Sequence, residues 1–323
     1  MGILGAARIG PAAVIRPARA VPGLEVVGVA ARDADRGQRF AARHRLERVY
    51  RDYEELLDDP SIDAVYNPLP NSLHAPWTIR ALRAGKHVLC EKPLASNALQ
   101  AEAMERAANE TGRVLSEGFA YRYHPLAARM LGIVQSGELG TVRHVEAELR
   151  VLLLGSKDIR FRFDLGGGAT MDVGCYPISL IRFLAASEPA IASASPKMLS
   201  PQVDSQMTAQ LSFTDGRTGT MVCDFKSHAV FRSVARVRGD RADLTVVNPF
   251  HPHLMNWLVV RSRSGTRWEH VRGENAYVLQ LQAFVRAIQQ GAASTTATAD
   301  GVANMRVIDA VYLAAGLEPR PGE

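Results

Sequence analysis

Apolar and polar positions follow two different rhythms along this chain, and the change falls near residue 120. In the first stretch, short apolar runs alternate with segments of helical period. Strands are predicted over 3–4, 25–30, 64–67, 87–90 and 114–117, and helices over 11–20, 35–43, 53–58, 74–84 and 98–111. Asp33 to Asp35 and Ser96-Asn97 stand where helix caps belong, and Gly85 and Gly112 where helices stop. Such alternation with short connections argues a doubly wound parallel sheet. Only Met1 and Gly2 precede Ile3, so the first strand reads as clipped, with further chain expected upstream.

Beyond residue 120 a helix is predicted over 125–136, and then the period becomes two. Val145, Ala147, Leu149 and Val151 alternate with Glu146, Glu148 and Arg150; Met207, Ala209, Leu211 and Phe213 alternate with Thr208, Gln210 and Ser212. That is the pattern of a half-buried antiparallel sheet. Asp215-Gly216 is a hairpin signal leading into a strand over 220–225, and further strands fit 232–238, 242–247, 257–263 and 267–271. Helices return over 276–290 and 301–315, a small polar loop spans 291–298, and the tail from Leu317 is expected to fray. The fold class is therefore an α/β Rossmann domain over residues 1–120, followed by an α+β domain with one large, mostly antiparallel sheet over 121–323.

Composition narrows the function classes. The chain has 323 residues, 47% hydrophobic and 22% charged, as in an ordinary two-domain globular protein. No run has transmembrane length and no leader pattern opens the chain, so neither a membrane nor secretion is expected. Cys90, Cys175 and Cys223 are odd in number and lack metal-ligand spacing. They read as reduced thiols of a cytoplasmic protein, and no metal site is expected. The net charge of +5 rests mainly on arginine. Arg16, Arg19, Arg32, Arg36, Arg39, Arg43 and Arg45 are interspersed with Ala and acidic residues, as on solvated helix faces, so nucleic acid is not expected as a partner.

Candidate chemistry concentrates in two places. Cys90-Glu91-Lys92-Pro93 ends the apolar run 86–89, and in open α/β sheets the carboxyl ends of strands face the ligand crevice. A lysine there is either paired or does chemistry; the plainer alternative is an exposed turn before a helix. The segment Gly5-Ala6-Ala7-Arg8-Ile9-Gly10 follows the first strand as a dinucleotide fingerprint, with Ala7 at the second glycine position. Gly5 would permit the tight turn, Ala7 the approach of a pyrophosphate and Gly10 close packing of helix on strand. Ala31-Arg32 occupy the ribose-reading position after the second strand. Without a carboxylate to repel a 2′-phosphate, and with Arg32 able to pair with one, the position points to NADP, with NAD as the other candidate. The alternative makes Arg32 a surface residue and gives the ribose to Asp33, which reads more simply as a cap.

Several segments, in order, resemble one family. Asp63-Ala64-Val65-Tyr66-Asn67-Pro68-Leu69-Pro70-Asn71-Ser72-Leu73-His74 and Glu91-Lys92-Pro93 are two of them. Residues 117–125, Gly166-Gly167-Gly168-Ala169-Thr170-Met171-Asp172-Val173-Gly174-Cys175-Tyr176 and the segment 299–310 complete the pattern. With the N-terminal fingerprint they resemble the glucose–fructose oxidoreductase/inositol dehydrogenase (Gfo/Idh/MocA) family across nearly the whole chain.

The resemblance implies an NAD(P)-dependent oxidoreductase acting on a sugar, polyol or related cyclic hydroxyl or ketone compound. It implies that Gly5, Ala6, Ala7, Arg8, Ile9, Arg32, Leu69, Pro70, Asn71, His74, Glu91 and Lys92 bind the cofactor, with Arg162 reaching it from the second domain. Lys92, Asp172 and Tyr176 are the implied catalytic residues, and they bind substrate together with Tyr121 and Arg122. The chain carries Tyr176 where inositol dehydrogenase-like members carry His. A nearby ammonium favours phenolate, so Tyr176 with Lys92 could exchange the substrate proton, while Asp172 orients. The family also implies a homodimer or homotetramer through the C-terminal sheet. Some members act instead as NAD(P)-sensing regulators or scaffolds, but those tend to lose the lysine or the acid–base residue, and this chain keeps Lys92, Asp172 and Tyr176.

Overall fold

The computed structural model describes residues 1–154, 158–292 and 294–321. Residue 293 of the polar loop and the last two residues of the tail lie outside the described residues. The chain divides into two compact units, Met1–Tyr123 with Tyr277–Val302, and His124–Ala276 with the chain from Ala303 on.

The first unit is built on six short strands: β1 (Gly2–Leu4), β2 (Gly28–Ala30), β3 (Arg48–Tyr50), β4 (Ala64–Asn67), β5 (His87–Cys90) and β6 (Leu115–Glu117). All pair in parallel in the order β3-β2-β1-β4-β5-β6. β1, β2 and β4 are buried along their whole length, which is why they read as continuous apolar runs. The connections carry helix α1 (Arg16–Ala18), which continues a π-helical turn over Pro11–Ile15, then α2 (Ala34–His44), α3 (Tyr53–Asp58), α4 (His74–Arg83) and α5 (Ala98–Thr111). Asp33 caps α2 through the Arg36 amide at 2.9 Å, Asn97 caps α5 through the Gln100 amide at 2.9 Å, and Gly112 ends α5 in the left-handed region.

In the second unit α6 (Pro125–Gln135) leads to β7 (Val142–Leu152), and α7 (Cys175–Ala185) lies on the sheet beside β7 and β10. The strands are β8 (Ala190–Ser200), β9 (Val203–Ser212), β10 (Thr218–Asp224), β11 (Lys226–Gly239), β12 (Ala242–Val247), β13 (Trp257–Ser262) and β14 (Gly265–Glu269). They form one eight-stranded sheet in the order β14-β13-β12-β11-β7-β10-β9-β8, antiparallel except for the parallel pair β7–β10. The alternation read from the sequence sorts the two faces. Val145, Ala147, Leu149, Met207, Ala209 and Met221 are buried on the helix-covered face. The other face carries ion pairs, Arg236 to Glu146 at 2.8 Å and Arg150 to Glu148 at 2.9 Å, with the exposed rings of Trp257 and Trp268 near one edge.

Helices α8 (Ala276–Gln290) and α9 (Thr298–Ala314) close the chain. The division expected at 120/121 differs in detail from the observed one: the first unit runs through Tyr123, and α8 joins it from Tyr277 on. Val278, Leu281, Phe284 and Val285 of α8 complete the core around Ile3, Val14, Val29 and Tyr66. The tail expected to fray from Leu317 is anchored, among its described residues, at Arg320, which is 1% exposed. Among the described residues no helix is long and apolar enough to cross a membrane, and Cys90, Cys175 and Cys223 are buried free thiols.

Candidate active site

The fingerprint segment forms a tight turn at the carboxyl end of β1. The Gly5 amide bonds the Ala30 carbonyl at 2.7 Å, and its φ of +90° suits glycine, since a Cβ there would also meet the Leu69 side chain at 2.9 Å. Gly10 is less constrained than the sequence suggests, because a Cβ would meet only the Phe40 ring at an ordinary 3.5 Å. Ala6, Ala7 and Arg8 form one wall of a cavity of about 750 Å³, and Arg16, Arg36, Arg39, Phe40, Arg43 and His44 complete much of the rest. Arg36 is fixed against the turn by a 2.8 Å hydrogen bond from Nη2 to the Ala6 carbonyl. Several guanidinium groups beside a small-residue turn are a donor set suited to a phosphate-bearing dinucleotide. Arg32 is exposed after buried Ala31 and is not among the residues lining this cavity.

The carboxyl ends of β4 and β5 are tied together. Asn67 is buried; its Nδ2 donates to the His74 carbonyl at 3.1 Å and to Thr78 at 3.0 Å. His74 is fully buried, with Nε2 2.8 Å from the Leu69 carbonyl and Nδ1 2.9 Å from the Pro93 carbonyl. Burial pushes its pKa down to about 4, against the two carbonyls that favour the imidazolium. The ring thus links the turn holding Leu69, Pro70 and Asn71 to the turn holding Lys92, and both its nitrogens are engaged within the protein. Glu91 accepts a 2.6 Å hydrogen bond from the buried Tyr66 hydroxyl, and the Lys92 amide lies 3.3 Å from its other oxygen. Lys92 is half-buried. Tyr277 of α8 senses both residues: its pKa rises to about 12, first through burial and then through Glu91, with Lys92 opposing. Tyr121 is buried edge-on to Phe119, and Arg122 reaches Asp300 at 3.4 Å.

In the second unit Asp172 lies in a π-helical turn, Thr170–Gly174, that runs directly into α7, where Tyr176 is the second residue. Such turns recur at functional sites. Both side chains are half-buried, and the Asp172 carboxylate lies 3.5 Å from Arg160 Nε. The Tyr176 ring packs at 5.4 Å from Phe250 and 6.3 Å from His251. Arg162 pairs with Asp164, two residues on, at an exposed position.

Comparison with known proteins agrees with this layout. An oxidoreductase family with an NAD-binding Rossmann fold matches residues 1–119, and the GFO/IDH/MocA C-terminal domain matches residues 128–245. A D-xylose 1-dehydrogenase (NADP(+)) of Haloferax volcanii is 34% identical over 96% of this chain and 95% of its own length. The chain belongs to the Gfo/Idh/MocA family of oxidoreductases. A second Gfo/Idh/MocA relative, a dTDP-3,4-didehydro-2,6-dideoxy-alpha-D-glucose 3-reductase of Saccharopolyspora spinosa, is 34% identical over 90% of this chain and 88% of its own. KijD10, a 3-ketoreductase of Actinomadura kijaniata solved with NADP and TDP-benzene, superposes with a TM-score of 0.90 at 29% identity, covering 97% of this chain and 96% of its own.

Within this family frame, the structure gathers Leu69, Pro70, Asn71, Glu91 and Lys92 on adjacent strand ends, and Asp172 and Tyr176 on one helical segment. Sequence reasoning missed Tyr66 and Tyr277 around Glu91, Arg160 beside Asp172, and Arg39 and Arg43 with Arg36 beside the fingerprint turn. The arginines had a readable signal: positions 36, 39 and 43, with Phe40 and His44, recur at helical spacing along one face of α2. Reading them as a solvated face ignored that α2 begins where the fingerprint strand's neighbour ends.

Proposed function

We propose that this protein is an NADP-dependent oxidoreductase acting on a CH–OH/C=O pair of a sugar, polyol or related cyclic substrate, with Lys92 and Tyr176 as its proton-transfer residues. The observation that carries the reading is Glu91-Lys92 at the end of β5, with the Glu91 carboxylate anchored by Tyr66. The family's relatives include a xylose dehydrogenase and a sugar 3-reductase, which supports a sugar-like substrate. A bound nicotinamide would supply hydride exchange at the substrate carbon. That exchange leaves the substrate oxygen one proton short in reduction or one proton in excess in oxidation. Tyr176 and Lys92 together are assigned that proton, the Lys92 ammonium also stabilising the developing oxyanion, and Asp172 the orientation of the substrate hydroxyl. Tyr121 and Arg122 are assigned to the substrate.

Gly5, Ala6, Ala7, Arg8 and Ile9 are assigned to the pyrophosphate, and Leu69, Pro70, Asn71, His74 and Glu91 to the nicotinamide end, His74 through the turns it holds. Arg32 and Arg162 are proposed as further cofactor contacts. The basic cavity beside the fingerprint turn supports NADP over NAD. The open sheet face with Trp257 and Trp268 supports a homodimer or homotetramer through that sheet, and the free thiols suit the cytoplasm. A turnover screen of sugars and polyols with NADPH, NADP, NADH and NAD tests the reading. Steady oxidation or reduction of one such substrate is expected; inactivity across a broad panel in both directions, with cofactor bound, would overturn it.

A further inference from the structure

The segment after α9 carries one side of an ion pair with no access to solvent: the Arg320 and Asp204 side chains are both 0% exposed, with Nη2 2.8 Å from Oδ1. Every group around the pair is matched. Tyr312 donates to Asp204 Oδ1 at 3.0 Å, the Thr170 amide and hydroxyl each donate to Oδ2 at 2.7 Å, and Arg320 Nε donates to the Gly167 carbonyl at 2.6 Å. The guanidinium lies 4.0 Å over the Tyr312 ring and 5.2 Å over that of Phe163. Burial, and then Asp204, raises the Tyr312 pKa well above its usual value, so the phenol remains a donor. Gly168 is wrapped by this cluster; at its φ of +133° a Cβ would lie 2.3 Å from Asp204 Oδ1 and 2.7 Å from Arg320 Nη2. Gly168 therefore serves an internal cluster.

A buried ion pair is a weak source of net stability, so its value lies in what it fixes. Asp204 stands on β9, in the sheet. Its carboxylate grips Thr170, where the π-helical turn begins, and Arg320 grips the carbonyl of Gly167. The Asp172 amide in turn bonds the Gly168 carbonyl at 3.1 Å. The start of the segment carrying Asp172 and Tyr176 is thereby held at both its amide and its preceding loop.

We propose that Asp204 and Arg320 are positioning residues, a clasp that sets the register of the Asp172–Tyr176 segment on the sheet; the catalytic part of this inference rests on the roles proposed above for those two residues. Without the clasp the helix survives but its first turn shifts, and displacements of about 1 Å at an acid–base group cost on the order of a hundredfold in rate.

The test uses the full chain with Arg320→Ala, Arg320→Lys and Asp204→Asn. Two readouts are taken: kcat and KM on a validated substrate, and hydrogen exchange of the peptide spanning 169–185. Arg320→Ala is expected to lower kcat about tenfold to a hundredfold with NADPH affinity unchanged, to speed exchange in that peptide, and to recover partly in millimolar guanidinium. Arg320→Lys keeps the charge but not the two-point grip and is expected to fall between. If Arg320→Ala does not fold, Arg320→Lys decides alone. A folded Arg320 variant with unchanged kcat and unchanged exchange overturns the clasp. If exchange speeds up but Tyr176→Phe is fully active, the clasp anchors the segment and it is the assigned role of Tyr176 that fails.

Discussion

Gly168→Ala puts a methyl group into the middle of the Asp204–Arg320 cluster. Its Cβ would stand 2.3 Å from Asp204 Oδ1 and 2.8 Å from the Tyr312 hydroxyl, at a φ of +133° that L side chains rarely adopt. Backbone strain of this kind costs about 1–3 kcal/mol. Pushing Asp204 away also weakens a charged hydrogen bond, at about 1.5–3 kcal/mol. The expected loss is therefore about 3–6 kcal/mol, against a total of about 5–15 kcal/mol for a typical fold. Urea denaturation followed by circular dichroism measures it, with Gly216→Ala as the control. Gly216 also has positive φ, +85°, but nothing lies within 4 Å of a Cβ there, so it reports the backbone cost alone. A Gly168→Ala loss no larger than the Gly216→Ala loss would show that the cluster is loose, and the argument for a clasp would fall with it.

Three further outcomes are expected. His74 has a pKa depressed to about 4 in the fold and near 6.5 when unfolded, so its contribution is complete above pH 6.5 and is lost as pH falls toward 4; the stability difference between wild type and His74→Gln should shrink by about 2 kcal/mol from pH 7 to pH 5, measured by urea titration, and a constant difference would refute it. Arg36→Ala with Arg39→Ala should weaken NADPH binding by at least tenfold and NADH binding much less, while Ala31→Asp should favour NADH, both read by fluorescence titration; equal losses for the two cofactors would remove these arginines from 2′-phosphate recognition. Tyr176→Phe should lower turnover sharply with little change in melting temperature, and its loss should not add to that of Asp172→Asn, because the groups act as one unit; a silent Phe variant would make Tyr176 a packing partner of Phe250.

The sequence yielded most where local chemistry decides structure. α3, α5, β4, β5 and β12 were readable to the residue because caps, glycine stops and apolar runs coincide at their ends. β8 was missed: Ala190–Ser200 has few β-branched residues, contains Pro196, and is a strand only because β9 pairs with it at the sheet edge. β3 is three residues long with two of them exposed, too short to show a period. β11 extends well before its predicted start, through a register shift against β7 that no pattern announces. Motif residues such as Lys92, Asp172 and Tyr176 were visible because they sit in contiguous segments. Their supports were not. Tyr66 meets Glu91 across two strands, and Asp204 meets Arg320 across 116 positions of chain. Such pairings are set by tertiary packing, and one sequence carries no trace of them.

The central claim is that Lys92 does chemistry, and steady-state turnover of Lys92→Ala beside the wild type tests it most directly. On a substrate the wild type turns over, the variant should be slower by about two to four orders of magnitude, the usual contribution of a positioned acid–base group, while NADPH affinity changes by only a few-fold. Turnover at the wild-type rate would make Lys92 a structural residue and contradict the account.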